Sequence, residues 1–565
     1  MDRIVECVPN FSEGRDRATI DAIVAAATGV SGVVLLDVDP GADTNRTVVT
    51  FVGGPDEVVE AAFRAIAEAA RRIDMEAHRG AHPRMGATDV CPFVPVRGVT
   101  MDDCAELARR LARRVGGELG IPVYLYGRAA ADPSRASLAD VRAGEYEGLA
   151  ARAGKPEWRP DFGPFEFPPR TGATAIGARE FLIAYNVNLN TRSRRLAHDL
   201  ALDVRESGRR VRDDAGSAVR DAAGNFVSRP GRFRECRAVG WTLPEHGLAQ
   251  VSINLTDYRV TSLHDVFDAL REGAQRRGLR VTGSEIVGMV PLEPIRRAGA
   301  HYLRAQGATA GVPERELVHA AVRSLGLSDL APFDPDEKIL EYRLRRAGLL
   351  ADRTVREFAD ELSSDSAAPG GGSAAALLGT LSAALASMVA ALTVGRKGCE
   401  DAWERMKELG EEAQALKDAF TADVDRDNDA FRALQAASRL PKATPAEAAA
   451  RDAAVRAAVR RATEVPLEVL ERAALAAALA VEVAASGNPN SRSDAGVAAL
   501  AARACAEGAY YNVLINLVGL DDPEWSAAAQ KRAEDALSRA ARCADQAVAS
   551  VRTALERSLP APQRT

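Results

Sequence analysis

Aromatic residues are scarce in this chain, 5% of 565 residues, and its seven cysteines form no CxxC pair and no regular framework. An odd number of scattered thiols excludes a disulfide scaffold and fits a reducing compartment. Neither charge sign dominates. The net charge of -6 argues against a general nucleic-acid binder, so any anionic partner must be held by a local site. The opening MDRIVECVPNFSEGRD lacks the apolar core of a secretory signal, and a cytoplasmic location is expected. Gly370 to Gly395 carries no charge before Arg396 and is long enough to cross a bilayer. It is rich in Ala, Gly, Ser and Thr and poor in large aliphatics, which predicts a tightly packed helix of a soluble protein and no membrane partner. Hydrophobic residues at 47% and charged residues at 27% are ordinary for a globular protein. The length exceeds what one core supports, so two to four compact units are expected.

Strand-like and helix-like segments alternate through the first third. Ile4 to Pro9, Val33 to Val38, Thr47 to Gly53 and Thr88 to Val96 read as strands, with helices at Arg17 to Ala27 and Pro55 to Ile73. A similar order recurs after residue 178, with strands at Phe181 to Leu189, Ala238 to Trp241, Ala249 to Asp257 and Val281 to Val290, and helices at Ser193 to Glu206 and Ser262 to Arg277. Two ferredoxin-like α/β units are the natural reading, because a split βαβ pattern buries one sheet face under two helices. Ser207 to Arg232, rich in Arg, Asp and Gly, reads as an exposed loop. Strand signals vanish from Val355 onward, where Ala-rich helical segments are punctuated at Pro369, Pro441, Pro466 and Pro489. A helical bundle is expected. Thr444, Pro445 and Glu447 form a helix start with cap, first-turn Pro and N3 Glu. The expected domains are 1–178, 179–332 and 354–565, with 333–353 as linker.

The densest chemical constellation is AHRGAHPRMGATDV, Ala77 to Val90. His78 and His82 have the spacing of a helical metal pair, but Gly80 and Pro83 break such a helix, so no metal is expected. A loop histidine satisfied by backbone is the alternative to a reactive one. Asn186, Asn188 and Asn190 alternate on a strand and share a face, either solvated or lining a cleft. Phe420, Val424, Phe431 and Leu434 form an apolar helical stripe that includes Asp427, whereas Asp425 and Asp429 point elsewhere and are expected to be solvated. A carboxylate on such a stripe is costly unless paired or working. APGGGS, Ala368 to Ser373, places Gly371 and Gly372 at a helix entrance that either presents N–H groups to an anion or makes a tight turn. It lacks the Gly-Lys-Ser/Thr ending of a nucleotide loop, so no nucleotide is expected.

VPNFSEGRD, DVDPGADTNRTVVTFVG, AHRGAHPRMGATDV, FLIAYNVNLNT, AQVSINL, APGGGS, VGRKG, RLPKATP, GNPNSRSD and YYNVLINL together resemble the formimidoyltransferase-cyclodeaminase family, in family order across nearly the whole chain. The resemblance implies transfer of a formimino group from N-formimino-L-glutamate to tetrahydrofolate, then ring closure to 5,10-methenyltetrahydrofolate with release of ammonia. It places the transferase histidine on His82 and the cyclodeaminase aspartate on Asp427. Asp39 is a candidate orienting partner or a turn-stabilising residue. Folate binding falls on Gly163, Pro164, Phe165, Glu166, Phe167, Pro168, Pro169, Arg170, Thr171 and Gly172, with the Asn186 and Asn188 stripe as a candidate pterin lining. Arg396, Lys397 and Arg492 lie in matching motifs and are candidates for folate glutamates. The resemblance also implies a polyglutamated folate co-substrate and a homo-oligomer. A folate-binding scaffold with silent sites, or a related formyltransferase, is the alternative.

Overall fold

The computed structural model describes residues 3–559 apart from 43, 81, 215, 222, 223, 225, 346, 347, 367, 519 and 521. The chain is mixed α/β followed by a helical domain. It divides into two compact units, the first running to Pro294 with Leu325–Arg343, the second comprising Ile295–Ser324 and everything from Leu344.

The first unit holds two sheets. β1 (Ile4–Cys7) and β2 (Asn10–Phe11) run end to end between β4 (Arg46–Gly53) and β5 (Thr88–Arg97), and β3 (Val34–Gly41) pairs with the outer edge of β4. β7 (Thr174–Ala178) and then β6 (Val123–Gly127) extend the other edge in parallel. Neither of those last two strands is among those expected from sequence: β7 is a short Ala-Gly-rich segment, whereas β6, VYLYG, does carry the β-branched and aromatic residues of a buried strand. Helices α1 (Arg17–Thr28), α2 (Pro55–Arg72) and α3 (Met101–Glu118) cover one face. α2 starts on Pro55 with Asp56 and Glu57 in its first turn and ends on Arg71 and Arg72, charges that complement the helix dipole. α3 begins with a Thr100–Asp103 capping box. Alternation on the central strands sends Val5, Cys7, Phe51 and Phe93 into this helical core and leaves the opposite face for other work.

The second sheet is built from β8 (Ile183–Leu189), β9 (Cys236–Leu243), β10 (Leu248–Leu255) and β11 (Val281–Val287) in the order β9-β10-β8-β11, all antiparallel. α4 (Arg194–Val204) and α5 (Leu263–Arg276) start on the capping serines Ser193 and Ser262. Most described residues between Ser207 and Arg232 are exposed, but the segment is not structureless, since Arg209–Arg210 pairs with Ser228–Arg229 as a small hairpin base.

In the second unit, α6 (Leu292–Ala305) and α7 (Glu314–Leu325) group with the long helices α8 (Gly371–Thr393), α9 (Trp403–Ser438), α10 (Pro445–Ser486), α11 (Arg492–Leu517) and α12 (Pro523–Ser558). α8, the uncharged stretch, is long and apolar enough to cross a bilayer by composition. It packs against α9, α10 and α11, and its small residues permit close approach: Gly379 lies against the Phe420 ring, and Ser382 donates to the Ala498 carbonyl at 2.8 Å.

Candidate active sites

A cavity of about 450 Å³ opens on the face of the first sheet left free by the helices. Its wall includes Glu6, Asn10, Asp37, Asp39, Arg46 and His82 from the first sheet and its loops, with Arg142, Arg179, Arg237 and Asn254 around them. The lining is short of internal partners. Asn10 Oδ1, Arg46 Nε and Arg142 Nε are buried and have no hydrogen-bond partner among the described residues. Buried polar atoms in folded proteins are nearly always satisfied, so a cluster around one cavity marks where a polar ligand completes the structure.

The loop between α2 and β5 delivers His82 to this cavity. Asn45, at positive φ in the β3–β4 turn, accepts from the Gly14 N–H at 3.0 Å and donates to the Arg79 carbonyl at 3.0 Å, tying the loop down. His78 is buried in support. Its Nε2 reaches the Asn45 carbonyl at 2.9 Å, so Nδ1 is left to accept from Arg84. Arg84 in turn makes two hydrogen bonds to Glu147. His82 Nδ1 donates to the Pro83 carbonyl at 2.6 Å, which leaves the Nε2 lone pair facing the Arg46 guanidinium. Burial, Arg46 and Arg142 together push the His82 pKa down to about 4 against the Pro83 carbonyl. The imidazole is therefore neutral and presents an acceptor nitrogen at neutral pH. Burial also lowers Arg46 to about 10, with Asp89 opposing. Asp89, 1% exposed, balances these cations through Arg142 at 2.7 Å. Asp39 lines the same cavity from β3, in register with Val48. Both rings of the His78–His82 pair are thus spent on protein partners, and among the described residues no group of three His, Cys, Asp or Glu is placed to hold a metal.

The helical unit has a separate carboxylate centre. Asp427 sits on α9 two turns beyond the buried Phe420 and one beyond the buried Val424, and its Oδ2 accepts from the Ser373 hydroxyl at 3.1 Å. Ser373 is the third residue of α8, whose N-cap Gly370 supplies no side-chain cap. The Asp427 carboxylate takes that place, favoured by the positive end of the helix dipole. A Cβ on Gly372 would overlap Asp427, so glycine is what lets the carboxylate reach the helix end. Burial raises the Asp427 pKa, while the Ser373 side chain and N–H lower it and Asp423 raises it. Asp425 is not solvated as expected: Oδ1 accepts from the Leu350 N–H at 2.7 Å and Oδ2 from the Ala351 N–H. The chain leading into the bundle turns back onto α9, which periodicity within α9 cannot reveal.

Sequence profiles of the formiminotransferase domain N-terminal subdomain, the formiminotransferase domain and formiminotransferase-cyclodeaminase match residues 4–179, 184–345 and 354–535. A formimidoyltransferase-cyclodeaminase of Sus scrofa is 45% identical over 96% of this chain and 97% of its own length. The chain belongs to the formimidoyltransferase-cyclodeaminase family. A glutamate formimidoyltransferase of Streptococcus pyogenes is 40% identical over 54% of this chain and 95% of that protein. A methenyltetrahydrofolate cyclohydrolase of Methylorubrum extorquens is 37% identical over 34% of this chain and 92% of that protein.

Other residues singled out by the family motifs fall in three places. None of Gly163 to Gly172 lines the His82 cavity. That loop is instead anchored beside the histidine segment: the Thr171 carbonyl accepts from Ala87, Arg170 donates to the Arg71 carbonyl, and Phe167 packs on Tyr146, while Phe165 is exposed. Gly163 and Gly172 adopt positive φ where a Cβ would strike the Ile121 and Met85 carbonyls. Asn186 and Asn188 also lie off the cavity. Asn188 donates to Asp329 at 2.9 Å and accepts from Gln250, and Asn186 donates to Glu285, so the stripe forms an internal polar network on the second sheet. The segments that carry Arg396 and Arg492 meet at one end of the bundle, where Asn488 bonds Thr393 and Leu392. Asp427, Gly371 and Gly372 are at the other end of α8, whose 23 residues span about 34 Å. Sequence reading missed Glu6, a single acid in an apolar strand, and Asp423, buried between Arg426 and Arg472. In Glu6 the signal was present as a charged residue at a buried alternate position.

Proposed function

We infer that the chain transfers the formimino group of N-formimino-L-glutamate to tetrahydrofolate in its α/β part, and closes 5-formimino-tetrahydrofolate to 5,10-methenyltetrahydrofolate with release of ammonia in its helical part. The carrying observation is that relatives of both names align over nearly their full lengths with the corresponding parts. In the first step N5 of tetrahydrofolate attacks the amidine carbon. His82 Nε2 takes the N5 proton once substrate displaces Arg46 from it, then returns a proton to the glutamate nitrogen as its bond to carbon breaks. Asp39 and the arginines of the cavity orient the charged substrate. In the second step N10 attacks the formimino carbon, Asp427 receives the N10 proton and hands it to the amino group, and ammonia leaves as the methenyl cation forms. A carboxyl of raised pKa suits that exchange.

The finer assignments belong to this proposal. Folate is held by the Gly163 to Gly172 loop and by the Asn186 and Asn188 stripe. Its polyglutamate tail is held by Arg396 and Arg492, and the helix entrance at Gly371 and Gly372 positions Asp427. No metal takes part. Because Arg396 and Arg492 lie at the far end of α8 from Asp427, a homo-oligomer can bring these ends of different chains together, and exposed Leu381, Leu392, Leu475 and Ile515 on the bundle support such contacts. The order β9-β10-β8-β11 supports a ferredoxin-like reading of the second sheet. A cytoplasmic location completes the reading.

The test is absorbance of methenyltetrahydrofolate formed from N-formimino-L-glutamate and tetrahydrofolate, with ammonia measured in parallel. His82→Ala should lose about a hundredfold or more of the transfer rate and still close supplied 5-formimino-tetrahydrofolate. Asp427→Asn should transfer normally and accumulate that intermediate. Absence of both products from the unmodified enzyme overturns the reading.

A further inference from the structure

Glu6 lies at the centre of the first sheet, in register with Val52 on one side and Val94 on the other. Its neighbours Val5 and Cys7 point into the helical core, so alternation turns Glu6 into the cavity that also holds His82. It is 2% exposed, and no hydrogen bond or ion pair joins its carboxyl group to another described residue. A carboxylate in such a place is costly unless a ligand pairs with it. Burial raises its pKa to about 7, with the Arg179 charge opposing and Glu341 adding to the rise. Nearby Asn10, 5% exposed, leaves its Oδ1 without a donor as well. The cavity wall therefore offers two buried acceptors that require N–H groups from outside the protein.

The donors of the wall have a different use in the donor substrate. Arg46, Arg142, Arg179 and Arg237 suit the two carboxylates of a glutamate derivative, since guanidinium forks match carboxylate geometry. What remains of N-formimino-L-glutamate is its amidine, a planar cation at neutral pH with an N–H on each nitrogen. That group matches a carboxylate by two parallel charge-assisted hydrogen bonds. We propose that Glu6 binds the formimino amidinium of the donor substrate and holds its carbon within reach of the attacking folate amine. This assignment rests on the transferase reading and adds to it the residue that recognises the transferred group. Glu6 keeps the amidinium protonated, so the carbon stays electrophilic, while the proton released by the attacking amine goes to His82. The pyrimidine edge of a pterin also presents paired N–H donors. It is neutral, however, and the cavity lining also carries the carboxyl groups of Asp37 and Asp39.

The experiment compares the full-length enzyme with Glu6→Gln, which keeps the side-chain shape and removes the charge. KM for N-formimino-L-glutamate should rise about tenfold to a hundredfold, KM for tetrahydrofolate should stay within about twofold, and closure of supplied 5-formimino-tetrahydrofolate should be unchanged. A rise in the tetrahydrofolate KM instead would assign Glu6 to the pterin and overturn the proposal. Unchanged values for both substrates would overturn it too. A second measurement uses the unmodified enzyme and does not depend on the variant folding: N-formyl-L-glutamate, the neutral analogue, should compete at least about tenfold more weakly than the formimino compound binds. Equal binding of the two would remove the amidinium from Glu6. Loss of all transfer in the unmodified enzyme would count against the transferase reading itself, a result separate from either outcome at Glu6.

Discussion

At neutral pH the His82 ring is uncharged, because burial and two arginines hold its pKa near 4. Glu6 instead titrates near 7. kcat/KM reports ionisations of the free enzyme, so for N-formimino-L-glutamate it should rise through about pH 7 as Glu6 loses its proton. That limb should vanish in Glu6→Gln; a limb that survives the substitution would return it to an imidazole. Stability should move the other way. The folded pKa of Glu6 is raised from 4.5 to about 7, so its contribution is complete below the unfolded value and is lost as pH rises through the folded one. The shift corresponds to about 3 kcal/mol. Thermal unfolding of Glu6→Gln should therefore occur at a higher temperature than that of the unmodified protein at pH 8, with little difference at pH 4.5. An equal effect at both pH values would mean that Glu6 is paired within the fold.

Two helices meet at the second site, and the contact explains why its entrance is glycine. Asp427 on α9 caps α8 through Ser373, and Gly372 leaves the space it needs. Gly372→Ala is expected to displace the carboxylate and slow ring closure by about a hundredfold, with transfer unaffected; retention of both activities would show that the helix end is not where the proton moves. Asp425, two residues earlier, holds the Leu350 and Ala351 N–H groups. Asp425→Asn should lower stability by about 1–2 kcal/mol in denaturant unfolding and leave ring closure intact. That outcome differs from the silence expected of a solvated carboxylate, and a denaturation midpoint equal to that of the unmodified protein would restore the simpler expectation.

Over the whole molecule the division of labour does not follow one cut through the chain. α6 and α7 group with the bundle, where Thr309 reaches the Lys407 carbonyl and Gly311 packs against Gly410. A fragment of residues 1–345, the span matched by the two transferase profiles, should keep transfer but unfold at a lower temperature than the full chain, because it strips that helix pair of its packing partners. Calorimetry of both would decide, and an inactive, unfolded fragment would show that the bundle is needed for the transferase fold. Much of this architecture was legible beforehand. Hydrophobic period marked the strands beside Val5, Phe51 and Tyr185 and the stripe from Phe420 to Leu434 that includes Asp427, because burial on one face imposes period two or 3.6 on the residues themselves. Motifs placed His82 in a loop rich in titratable groups. Only the tertiary structure decided which of these groups share a cavity, since that depends on strand order and register, which local periodicity does not encode. Register brought Glu6 and Asn10 to His82 and sent Asn186 and Asn188 into a network with Glu285 and Asp329, while helix packing set Arg396 and Asp427 at opposite ends of α8.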